Sequence, residues 1–404
     1  MSTDVDRIVA SDEKEKEEEE RKDSTQKPSD NTTSAIAANA TASAINNAST
    51  IATASNITAA SDTNPNSTTA NLKPFRRYDR VVIATKIHGP HQHMLLDQSL
   101  CLLQAAYNRK VNYDIVVFYT EELHDEQMNV TESLVYPSKI IWAKDNKGLQ
   151  EEIQALSPIR RTNFLKGCNT TNVTEINWFS NCPDRIAYNW QAEFRSLHIW
   201  THGALKPYRT MLWLDTDGFS THEWPMDPIE TMIEKDLNIL FMNFPQGRGK
   251  GREIHERMFN SLSKTICHLG ITNGRLNVRY GDSVDSCPNT QVPMIHGFFH
   301  ITNLDFYRRP DVLKFEETWI GDGFCQRKFD DQFAVTAPAA ILTPDKAWDM
   351  HSNGIKLDVY HNSNLDGKRS QKAGGYLKYW KTTVKKQFPE AAEKCDAYIK
   401  AGNR

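Results

Sequence analysis

The stretch Tyr208-Arg209-Thr210-Met211-Leu212-Trp213-Leu214-Asp215-Thr216-Asp217-Gly218-Phe219 sets an apolar run of strand character directly against two carboxylates and a glycine. Residues i and i+2 of a strand point to one face, so the spacing predicts that Asp215 and Asp217 present oxygens to one point at the strand's end. Such a pair suits a hard divalent cation. A cation with open positions can bind a diphosphate and neutralise the charge that develops as it leaves. Spacing alone does not decide this, because Asp4-Val5-Asp6 repeats it in a polar segment with no strand before it. The surrounding chain has to.

Working outward, residues 80–87, 113–120 and 139–143 are apolar runs bounded by polar residues, which fits buried strands of a parallel sheet. Between the first two, Leu96, Leu100, Leu103 and Tyr107 recur at helical spacing and would pack on that sheet. The alternation predicts an α/β sheet of nucleotide-binding type. A helix is expected from Pro183 to about Leu205, feeding the Asp215/Asp217 strand. Beyond it we expect a helix at 228–235, a strand at 237–243, and a helix near 253–270 carrying Ile254, Met258, Leu262 and Ile266. Residues 294–301 read as a strand with His296 and His300 on one face. Four residues of strand is roughly 13 Å, so at most one of these histidines belongs to a single site. Helical sequence follows at 303–319, a helix after Asp330-Asp331, a last strand at 355–360 delivering His361-Asn362, and a basic amphipathic helical cap over about 370–404.

No Gly-x-Gly-x-x-Gly follows the first strand, and no phosphate-cradling glycine loop ends in Lys-Ser/Thr, so any nucleotide handling must run through a metal. The 247–252 run of alternating glycine and basic residues reads as a surface loop. Trp213 and Phe298 read as core, and Asp330-Asp331 also make good helix-capping chemistry.

Composition divides the 404 residues near position 73. Before it the chain has no aromatic residue: a charge run from Asp12 to Asp23 gives way to an Ala/Ser/Thr/Asn mixture. Neither part can bury enough apolar surface to offset the entropy of ordering, so residues 1–72 are expected to be a disordered tail or stalk, and residues 73–404 a single domain. A net formal charge of -3 and the lack of a basic stripe give no sign of a nucleic-acid partner, and none is expected. Sequons at Asn31, Asn39, Asn47, Asn56, Asn66, Asn129, Asn169 and Asn172 suit a secretory route, the last three most strongly because the tail's composition generates sequons by chance. Among seven cysteines, Cys168/Cys182 and Cys267/Cys287 are close pairs in polar sequence, whereas Cys101 reads as a plain core residue. We read no signal peptide and no apolar run approaching the ~20 residues of a membrane span, so no anchor is visible.

Between about residues 78 and 365 the chain resembles glycosyltransferase family 15, the fungal Golgi α-1,2-mannosyltransferases. The resemblance rests on Leu214-Asp215-Thr216-Asp217, on Phe299-His300-Ile301-Thr302-Asn303-Leu304-Asp305-Phe306-Tyr307-Arg308, on residues 323–331 and on Tyr360-His361-Asn362. Family members have Glu-Pro-Asp in place of Asp215-Thr216-Asp217, and Tyr-His-Asn-Pro or His-His-Asp-Pro at Tyr360-His361-Asn362. The resemblance implies a single α/β domain of GT-A type, a Rossmann-like mixed sheet flanked by helices. It also implies a hexosyltransferase that moves mannose from GDP-mannose to a glycan or glycoprotein hydroxyl with retention, using Mn²⁺ or Mg²⁺ in the Golgi lumen. Asp217 and His361 match metal ligands, Asp215 the nucleotide-facing carboxylate, and Asp331 an aspartate of the active-site cleft. Where the family has a glutamate proposed as nucleophile, this chain has His300. A neutral imidazole can orient a hydroxyl or take a proton but is an unusual covalent partner for a glycosyl cation. Three readings follow: transfer without a covalent intermediate, Asp331 in that part, or an activity changed or lost, as in an inert or glycan-binding relative. A phosphatase of the haloacid dehalogenase type would also use Asp215 and Asp217, but Phe219 stands where that motif wants a small hydroxyl residue.

Overall fold

A computed structural model describes residues 75–182, 184–242, 252–287, 292–321, 331–361 and 385–399. Contacts between Cα atoms divide the chain into Met1–Thr68 and Thr69–Arg404, and all the described residues lie in the second unit. The expected tail, the 247–251 loop, residues 323–330 and Asn362 lie outside the described residues.

The strands are β1 (Val81–Ile87), β2 (Asp114–Tyr119), β3 (Ile140–Lys144), β4 (Thr210–Leu214), β5 (Gly218–Ser220), β6 (Ile239–Phe241), β7 (Thr265–Thr272), β8 (Arg275–Gly281), β9 (Phe299–Asn303), β10 (Ala347–Asp349) and β11 (Val359–His361). The longer helices are α1 (His93–Ala106), α2 (Asp125–Val135), α3 (Leu149–Ala155), α4 (Pro158–Gly167), α5 (Ile186–Glu193), α6 (Pro228–Glu234), α7 (Arg252–Leu262), α8 (Pro310–Ile320), α9 (Asp331–Leu342) and α10 (Pro389–Ile399). Nine strands form one mixed sheet in the order β3-β2-β1-β4-β9-β6-β10-β8-β7. β1 runs parallel to β2 and β4, while β9 is inserted antiparallel between β4 and β6. The fold is thus the α/β sheet that the strand-helix alternation implied, mixed and flanked by helices as the resemblance implied.

Every residue of β1 is buried, as a strand covered on both faces requires. Successive residues feed opposite cores. Ile83, Ile115 and Leu212 pack with Leu96, Leu100 and Leu103 of α1. Val82, Ala84, Val116 and Trp213 pack with Ile254 and Met258 of α7, Phe315 and Trp319 of α8 and Phe333 of α9. Arg308 ties the approach to β4 in place: it donates to the carbonyls of Trp200, Leu205 and Tyr208 at 2.9, 2.7 and 2.9 Å. Arg308→Met removes all three hydrogen bonds, leaving Leu205 O with the Tyr208 N–H, and we expect a loss of about 2–3 kcal/mol, checked by urea unfolding.

Several boundaries differ from the sequence reading. The helix expected through residue 270 ends at Leu262. Ser263 takes a positive φ of 57°, and Ile266 lies on β7, which pairs with β8 in a hairpin. The turn is Asn273-Gly274, with φ of 51° and 73°, the Asn-Gly signature of a tight hairpin that helical periodicity obscured. The strand expected from Met294 begins only at Phe299, so His296 precedes it and does not share a strand face with His300. Cys101 is buried in the core as expected, yet it is not a plain core residue: it is bonded to Cys395 of α10, 294 residues away. A sequence separation of that size carries no local signal. Cys267 pairs with Cys287, and Cys168 is also disulfide-bonded.

Candidate metal centre

β4 ends at Leu214, one residue before the first carboxylate. Asp215 to Gly218 form a turn closed by Gly218 N–H donating to Asp215 O at 2.8 Å. The two carboxylates are therefore brought together by a turn, not by the pleat of a strand as the spacing predicted. Close approach favours glycine at 218, where a Cβ would lie 2.7 Å from Leu214 Cδ1 and 3.0 Å from the Asp215 carbonyl oxygen; the Ser99 hydroxyl donates to Gly218 O at 2.7 Å. Beyond the turn, β5 pairs antiparallel with β11, placing His361 directly opposite Gly218. His361 is the last residue of that strand, where the reading had placed it just after the strand.

This pairing completes the centre. Donor atoms of Asp215, Asp217 and His361 all lie within 4.8 Å of one another. His361 Nε2 is 3.1 Å from Asp217 Oδ1. Burial works to lower the imidazole pKa, but the hydrogen bond to Asp217 and the charges of Asp217 and Asp215 outweigh it, and the net shift is upward. Burial pushes the Asp215 carboxyl up against the opposing charge of Arg195, with Asp217 adding to the rise. Two carboxylates and an imidazole make a donor set that Mn²⁺ or Mg²⁺ accepts, so the residues present fit a divalent ion.

A residue not singled out in the sequence dominates the surroundings. α5 runs into a π-helical turn, Phe194–His198, which carries Arg195. Such turns re-aim side chains and recur at functional sites. Arg195 Nη1 lies 3.2 Å from Asp215 Oδ1 and 3.0 Å from Asp331 Oδ2; its Nη2 donates to Gly297 O, and the guanidinium sits 4.7 Å over the Trp213 ring. A Cβ at Gly297 would come within 2.7 Å of that Nη2. Trp213, read only as core, also donates from Nε1 to Asp215 Oδ1 at 2.8 Å. Asp331 opens α9 and reaches the site through Arg195. The one legible signal for Arg195 was a charged residue among the apolar positions Phe194, Leu197 and Trp200.

His300 pairs with Trp213 across β4 and β9 and is 2% exposed, with Nδ1 facing no hydrogen-bond partner. Burial, assisted by the Arg195 charge, lowers its pKa from 6.5 to about 3. It is a neutral imidazole in the wall behind Arg195. His296 instead reaches the centre: its ring lies 5.3 Å from that of His361, and the Phe298 ring lies 5.1 Å from that of His361. Between pH 6.5 and about 3 the unfolded chain binds a proton that folded His300 refuses, so this group lowers stability as pH falls through that window. We expect His300→Gln to flatten the acid limb of the stability profile by up to roughly 1.4 kcal/mol per pH unit, measured by urea unfolding between neutral pH and about pH 4.

On the same sheet edge, beyond the C-terminal end of β1, His88 contacts the rings of His91, Trp178 and Phe179 at 5.7, 5.9 and 5.5 Å. Phe179 is 62% exposed. Burial first, then the charge of Lys86, holds the His88 pKa down to about 4. Lys86 is itself buried against Asp145 at 2.6 Å.

No family model matches the sequence, and no curated protein matches it. Solved structures similar to it include core-mannan synthase A from Aspergillus fumigatus in a Mn/GDP form, at 15% identity over 70% of this chain and 74% of that one, with a TM-score of 0.49. The mannosyltransferase Ktr4p from S. cerevisiae in complex with GDP matches at 14% identity over 70% and 71%, with a TM-score of 0.48. The galactosyltransferase LgtC with donor and acceptor sugar analogues matches at 10% identity over 78% and 95%, with a TM-score of 0.36. Among the described residues no helix is long and apolar enough to cross a membrane.

Proposed function

We propose that the protein is a metal-dependent glycosyltransferase of GT-A type that moves a hexose from a nucleoside-diphosphate sugar to a hydroxyl of a glycan or glycoprotein. The observation that carries this reading is the convergence of Asp215, Asp217 and His361 at the C-terminal edge of β1 and β4, where open α/β sheets bind nucleotides. Asp217 and His361 would hold Mn²⁺ or Mg²⁺, with Asp215 beside them. When bound, the ion supplies Lewis-acid stabilisation of the departing diphosphate. The chain's own residues do the rest. Arg195 holds Asp215 and Asp331 in fixed positions. The aromatic group at His88, His91, Trp178 and Phe179 offers faces on which a base can stack. Asp331 would orient the acceptor hydroxyl, and His300, held neutral, would add no second positive charge beside Arg195.

Mannose as the sugar, GDP-mannose as the donor, retention, and a Golgi setting follow from the sequence resemblance to family 15 and belong to the same proposal. Its test is to incubate the full-length protein with GDP-mannose and other GDP- and UDP-sugars, with and without Mn²⁺, and to follow nucleotide release. Metal-dependent cleavage of one donor supports the proposal. Hydrolysis of a simple phosphate ester instead points to a phosphatase, and inertness toward every donor to a glycan-binding relative.

A further inference from the structure

Among the described residues around the metal centre, Arg195 pairs with Asp215 and Asp331, while Asp217 pairs with His361. Arg195 is held by an ion pair on each side, by the Gly297 carbonyl and by the Trp213 ring, and its side chain is only 10% exposed. Moving it aside would strand the buried Asp331 and the partly buried Asp215 without their countercharge. One of the two carboxylates that face the cation site therefore shares its charge with a fixed guanidinium 3.2 Å away. A divalent ion arriving alone meets that positive charge at short range. A unit charge a few ångströms away in a partly buried site alters ion affinity by roughly ten-fold or more. A diphosphate brings the negative charge that offsets it.

We propose that Arg195 makes binding of the divalent ion contingent on a bound nucleoside diphosphate, so that the two occupy the site as a unit. This rests on the reading of the centre as a metal-diphosphate site. Coupling is reciprocal, so the ion tightens diphosphate binding by the same factor. Arg195 is accordingly a positioning residue for Asp215 and Asp331 and a brake on binding of the bare ion.

The test measures Mn²⁺ affinity of the full-length protein by electron paramagnetic resonance, with and without saturating GDP. For the native chain we expect GDP to tighten Mn²⁺ binding about ten-fold or more. Arg195→Gln should bind Mn²⁺ alone about ten-fold more tightly, with the GDP effect shrinking to match. Arg195→Lys, which keeps the charge, should retain the native pattern. Mn²⁺ binding that is equally tight with and without GDP in the native protein overturns the inference, whether or not the variants fold, and leaves the site reading standing. So does an Arg195→Gln variant whose Mn²⁺ affinity is unchanged. Absence of Mn²⁺ binding even with GDP removes the site reading itself, and the inference with it.

Discussion

Asp217→Ala is expected to cut metal-dependent turnover of the sugar nucleotide by on the order of 100-fold to 1000-fold, the loss seen when one group stabilising developing charge is removed. The fold should survive. The Asp217 side chain is 36% exposed, and its ion-pair partner is His361, so no buried charge is left behind. Asp215→Ala makes an informative contrast. Its carboxylate is less exposed, at 19%, and is bonded to Arg195 and Trp213, so the substitution should cost stability as well as activity. Steady-state kinetics with and without Mn²⁺, beside thermal unfolding of both variants, separate the two effects. If Asp217→Ala retains metal-dependent turnover, the assignment of the centre is wrong.

Removing the Cys101–Cys395 bond is expected to lower stability by about 2–5 kcal/mol. The link spans 294 residues and closes a large loop, so its loss releases much conformational freedom in the unfolded chain. In the folded chain it holds α10 on α1, where Phe388, Ala391 and Ala392 join the core containing Leu100 and Leu103. A Cys101→Ala/Cys395→Ala double variant avoids leaving a single reactive thiol, and urea unfolding under non-reducing conditions reads the difference. A denaturation midpoint equal to that of the native chain would show that α10 docks without the covalent tie.

The main sheet was legible because burial on both faces writes itself as continuous apolar runs, as in β1 and β2, and because Leu96, Leu100 and Leu103 repeat at helical spacing. Boundaries were less legible where two local signals compete. At residues 253–270 the helical periodicity of Ile254, Met258 and Leu262 ran on into Ile266, while the Asn273-Gly274 turn that makes Ile266 part of a hairpin lay further along. His296 was assigned to a strand because an apolar run does not mark the residue at which pairing begins.

For the site, Asp215, Asp217 and His361 were named from order and motif, and the geometry brings their donor atoms together. Their local mechanism was misread: a turn, not a strand pleat, aims the two carboxylates. Residue types and short-range spacing thus determined the α/β class, the acidic pair after a buried strand and the histidine near the end of a late one. Only the tertiary structure decided that β11 pairs with β5 and sets His361 opposite Gly218, that a π-helical turn aims Arg195 between Asp215 and Asp331, and that Cys101 meets Cys395. Each of these joins residues far apart in the chain, and such contacts depend on how whole elements pack. Local periodicity and propensity carry no record of them.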